Sequence, residues 1–102
     1  MVVTTREPVD DPMLRFGAGR ADSFAYDDVK GWVPSNRNIG AVVYPSTRPN
    51  ANTDFGIVDI SDINSDVFSD LLNERLNDLP GEKIVFLFVH GYNVPYSNGV
   101  YR

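Results

Sequence analysis

From Ile84 to Val89 the chain passes through six apolar residues in succession, Ile-Val-Phe-Leu-Phe-Val. The run is too short for a helix that must bury itself, and it is rich in β-branched and aromatic side chains. Pro80-Gly81 precedes it and His90-Gly91 follows, so it predicts a strand over 83–89. A run without polar alternation predicts cover on both faces, as for a central strand of a parallel sheet flanked by helices. Immediately upstream the pattern changes period. Val67, Phe68, Leu71, Leu72, Leu76 and Leu79 recur at i, i+3 and i+4, forming the apolar stripe of an amphipathic helix. Asn64 is its predicted N-cap, with Ile63 and Phe68 spaced as a hydrophobic staple and Asp66 placed near the positive helix end. Pro80-Gly81 stops it, and a further helix is expected to start at Tyr96.

The first half of the chain is less periodic. Phe55–Ile60 is a strand candidate, as are Trp32-Val33 and Ala41–Tyr44, the last two joined by the polar turn 35–38. Pro34 and Pro45 each remove a ladder donor, so those two strands should end there or lie at an edge. Residues 1–13 mix Pro, Asp and Thr without a period and are expected to form a flexible arm. Gly17-Ala18-Gly19 fits a turn better than a dinucleotide fingerprint, which needs a preceding strand, a third glycine and a following helix. A strand covered on both faces needs more neighbours than these elements provide. Residues 14–102 therefore read as the opening part of an α/β domain with an incomplete sheet, cut off after strand 83–89, its His-Gly loop and the start of the next helix.

Charge narrows the function classes. Residues 1–50 carry six acids and six bases, whereas residues 51–102 carry eight acids and three bases, which supplies the whole formal charge of −5. A nucleic-acid surface needs the opposite sign, so no nucleic-acid partner is expected. The absence of cysteine excludes disulfides, thiolate metal sites and a cysteine nucleophile. No stretch approaches the length of a membrane span, and the first residues lack the charged start and long apolar core of a secretory signal. The expected compartment is the cytoplasm. Oligomeric state stays open.

The candidate chemistry lies after the apolar run. In open α/β sheets ligands gather beyond the carboxyl ends of the strands, where His90-Gly91-Tyr92-Asn93 would stand. This segment, with its Val85–Val89 lead-in and the following Val94–Tyr101, resembles the α/β-hydrolase superfamily. It is most similar to a bacterial, esterase- or lipase-like branch with a Val-His-Gly-Tyr-Asn signature. Arg20, Ser23, Tyr26, Val33-Pro34, Arg37, Gly40 and Pro45 resemble the upstream pattern more weakly. The resemblance implies an α/β fold in which this chain is the N-terminal portion of a three-layer sandwich. It also implies a serine hydrolase acting on a small-molecule ester or similar acyl substrate, without a cofactor. By that resemblance the Tyr92 backbone N–H is one oxyanion donor, Gly91 permits the close backbone approach, and His90 braces the loop. Asn93 would pin the turn or start the next helix.

The departures from that pattern are equally plain. None of the seven serines lies in a Gly-x-Ser-x-Gly elbow, and His90, the only histidine, precedes any position where the triad histidine belongs. The chain is expected to own half an oxyanion hole and to hydrolyse nothing alone. A non-catalytic interaction module that binds a protein partner is the alternative. Simpler readings stand beside each feature. His90 fits a structural loop histidine, and one histidine without a carboxylate cluster makes a poor zinc site. Asp59, Asp62, Asp66 and Asp70 lack the glycine and closing glutamate of a calcium loop and fit a cap and a solvated helix face. Trp32, Tyr44, Arg37 and Arg48 fit cross-strand packing and surface solvation, and Ser97 fits a helix surface.

Overall fold

The computed structural model describes residues 1–11, 14–91 and 94–101. Three strands form one antiparallel sheet in the order β1-β2-β3, comprising β1 (Val2–Pro8), β2 (Phe16–Trp32) and β3 (Gly56–Ile63). Two helices follow, α1 (Ser65–Asp78) and α2 (Tyr96–Val100). The fold is thus mixed α/β in content, but its sheet is antiparallel, with the long β2 in the middle.

The elements with strong local signals form where their residues predict. Asn64 caps α1 by accepting from the backbone N–H groups of Asp66 at 3.0 Å and Val67 at 2.9 Å. The helix rests on β2, with the Tyr26 and Phe68 rings 5.4 Å apart. At its far end Arg75 grips Asp28 with two bonds of 2.8 and 2.6 Å. This hydrogen-bonded guanidinium holds the Asp28 carboxyl below its ordinary value, against the opposing effect of desolvation. The strand expected from Phe55 is β3, and the helix expected from Tyr96 is α2.

Four expectations need correction. Within the expected arm, Val2–Pro8 is not loose, because it forms β1 and pairs along its length with β2. Gly17 and Gly19 lie within β2 rather than in a turn. A side chain at Gly17 would meet Val9 Cγ1, and one at Gly19 would meet the Glu7 side chain, so bare backbone is what lets the neighbouring chain approach here. Trp32 closes β2, but Val33 and Ala41–Tyr44 form no strand. Val43 accepts from the Phe55 backbone N–H at 3.0 Å without extending into a ladder, and Pro34 and Pro45 have no N–H to donate to one.

The fourth correction concerns Ile84–Val89. The segment forms no strand and no helix, and its exposures run from 56% at Ile84 to 93% at Phe86. A strand buried on both faces needs sheet neighbours and a covering layer on each side, and one three-stranded antiparallel sheet with one 14-residue helix does not supply them. The consequence is visible in the whole chain. Its accessible surface is 7968 Å², whereas a compact folded monomer of 11.4 kDa exposes about 5,800 Å². Its radius of gyration, 14.9 Å, also exceeds the roughly 13 Å of a compact domain this long.

Candidate functional site

The polar cluster built on the most buried carboxylate among the described residues joins the sheet to α2. Phe16 and Tyr96 are the buried members of the aliphatic and aromatic set among the described residues, and their rings lie 5.1 Å apart in a tilted pair. Beneath them Asp27 is 2% exposed. One of its carboxylate oxygens accepts from Arg15 Nη2 at 2.7 Å, and the other accepts from the Tyr96 hydroxyl at 2.5 Å. Both lone-pair-bearing atoms are thereby satisfied, as a buried carboxylate requires. Burial, then the bond to Asp27 and its negative charge, push the Tyr96 phenol above its ordinary value. Arg15 holds its position with φ at 55°, a left-handed backbone that costs a non-glycine residue about 1–2 kcal/mol. Its Nε atom is buried without a hydrogen-bond partner in the structure.

Through α2 this cluster positions the His90–Gly91 corner. Tyr96 starts α2, and the His90 ring lies against Gly99, where an added Cβ would stand 3.6 Å from His90 Cδ2. His90 Nδ1 is 2.9 Å from the Gly91 carbonyl oxygen. A carbonyl can only accept, so Nδ1 is the donor in this contact. The His90 ring thus lies against α2 and is hydrogen-bonded to the carbonyl of the next residue. Gly91 itself is open, with nothing near the position of an added Cβ. Tyr92 and Asn93 lie outside the described residues, and with them the expected oxyanion donor.

Two clefts meet at His90 and Gly91. The smaller, about 410 Å³, is walled by Tyr44, Phe88, Val94 and Asn98. The larger, about 620 Å³, opens between the corner and the β1–β2 pair, with Thr4, Arg6, Phe16, Arg20 and Phe24 on its walls. Both volumes are in the range of small-molecule sites. Ser97 sits in α2, half-buried, with neither elbow nor base. The described residues hold no group of three or more His, Cys, Asp or Glu able to bind a metal, and no helix among them is long and apolar enough to cross a membrane.

Residue-type reasoning missed Arg15, Asp27 and Tyr96 as a unit. Nothing local marks Asp27 as the more deeply buried member of the Asp27-Asp28 pair, and its partners are 12 and 69 residues away. The only local hint is an Asp-Asp pair inside a segment otherwise fit for a strand. Comparisons with protein-family models, curated proteins and solved structures found no match to the chain.

Proposed function

We propose that this chain contributes a strand and an oxyanion loop to an α/β-hydrolase-type sheet, as the opening part of a serine esterase or lipase-like acyl hydrolase. The observation that carries the reading is the stretch Ile84–Val89: six exposed apolar residues stand directly ahead of His90-Gly91. The surface excess over a compact monomer, about 2,200 Å², is the size of an extensive protein interface. Inserting 84–89 between other strands would satisfy its backbone and cover its side chains. It would also bring His90–Gly91 to the carboxyl edge of the sheet, where acyl chemistry belongs. There the Tyr92 amide serves as one oxyanion donor, and His90, hydrogen-bonded to Gly91 O, keeps the corner rigid. The nucleophile, acid and base come from polypeptide beyond the 102 residues, and the substrate is a carboxylic ester or a similar acyl bond.

The test has two arms. The 102-residue chain should not turn over a p-nitrophenyl ester, and coding DNA beyond Arg102 should continue into Gly-x-Ser-x-Gly, then an acid, then a histidine. Turnover by the chain alone, abolished by mutating one of its own serines, would overturn the reading. A stop codon directly after Arg102, with cooperative unfolding of the chain, would favour the alternative, a module that uses 84–89 to bind a protein partner. The same exposed run supports that second reading.

A further inference from the structure

We propose that Arg6 and Arg20 form a binding site for a phosphate monoester carrying an apolar or aromatic group, in the larger cleft beside His90. The inference is independent of the acyl-hydrolase reading. Arg6 and Arg20 are paired across β1 and β2, so their side chains leave the same face of the sheet from adjacent positions. The register jumps between Thr4 and Arg6, leaving residues 21–24 of β2 opposite Thr5 alone, and such irregularities re-aim side chains next to functional sites. Like charges directly opposite each other destabilise a strand pair. Among the described residues, no ion pair or side-chain hydrogen bond relieves either guanidinium. Glu7, the acid next to Arg6, does not neutralise it: strand alternation sends Glu7 to the other face, where its side chain fills the space over Gly19.

The remaining walls suit the two ends of such a ligand. Thr4 Oγ1 accepts from the Arg6 backbone N–H at 3.1 Å, which leaves the hydroxyl proton for another acceptor. Phe24 is 62% exposed, and with Phe16 it supplies an aromatic wall for an apolar body. A phosphate matches the cationic pair better than a carboxylate does. One guanidinium fork occupies both oxygens of a carboxylate, whereas a phosphate monoester offers three terminal oxygens and a dianionic charge to share between two forks.

Phenyl phosphate titrated into the full chain at low salt, followed by calorimetry, tests the assignment against inorganic phosphate, benzoate and phenol. Phenyl phosphate should bind tightest of the four, and its affinity should fall as salt is raised. Arg6→Gln or Arg20→Gln should weaken it at least tenfold, with Arg48→Gln, in the 33–55 loop, as the neutral control. Without ligand, either cleft variant should melt about 1–4 °C higher than the parent chain, because the repulsion is gone. Binding unchanged in both cleft variants would overturn the site, as would a lowered melting point in either. Benzoate binding as tightly as phenyl phosphate would overturn the phosphate assignment, and equal affinity for inorganic phosphate would overturn the apolar half.

Discussion

The Arg15–Asp27–Tyr96 cluster and the Ile84–Val89 run place polarity in opposite ways. Asp27 is a charged residue 2% exposed with both oxygens bonded, while Phe86 is an aromatic residue 93% exposed. Carboxylates are almost never buried unless paired, and contiguous apolar patches are rarely left in solvent. The described fold therefore draws its order from specific polar contacts and cross-strand pairing, with Phe16 and Tyr96 as its small apolar centre. Most of the hydrophobic driving force in the second half of the chain is unspent. Fully covering a large apolar side chain is worth about 1.5–3 kcal/mol, so covering all six in the run would release on the order of 10 kcal/mol as an upper estimate. That is why the run, and not the cluster, is where a larger structure would attach.

The widest test of this contrast is Asp27→Ala. It strands the half-buried Arg15 charge and the Tyr96 hydroxyl, and should cost about 3–5 kcal/mol in urea unfolding followed by circular dichroism. Tyr96→Phe removes one bond to the same carboxylate and should cost about 1–3 kcal/mol at neutral pH. The pH profile adds a sign. The folded chain holds the Tyr96 proton more tightly than the unfolded chain does, so the stability from this group is complete below about pH 10 and is lost as pH rises further. The gap between Tyr96→Phe and the parent chain should therefore narrow above pH 10, and a constant gap would refute the assigned bond. Phe86→Asp should have the smallest effect on unfolding, within about 0.5 kcal/mol, because the side chain makes little contact to lose. It should instead suppress concentration-dependent association in light scattering. A large loss of stability would show that the run already packs against the fold.

What was legible in the residues was local. The stripe from Val67 to Leu76, the Asn64 cap, the onset of β3 and the start of α2 each depend on neighbours within about one helical turn or one strand length. β1 carried a signal in Val2-Val3-Thr4-Thr5, β-branched throughout, but Pro8 and the acids after it masked the strand. β2 had little, since Phe16–Trp32 mixes apolar residues, glycines and charges without strict alternation and gains its extended form by pairing on both edges. Of the site, the residue types pointed to His90 and Gly91, which stand where two clefts meet, whereas the buried carboxylate bonded to Tyr96 at the start of α2 had no local signal of its burial.

By itself the sequence determined which segments carry helical or extended periodicity, where caps and breakers fall, and that Ile84–Val89 is hydrophobic enough to need cover. Tertiary structure decided the strand order, the pairing of Arg6 with Arg20, the burial of Asp27 beneath Tyr96, and the exposure of the run itself. The division has one physical cause. Periodicity and capping are settled between residues a few positions apart, while register, burial and charge pairing depend on which distant segments meet, and the same six apolar residues become core or surface according to what is there to receive them.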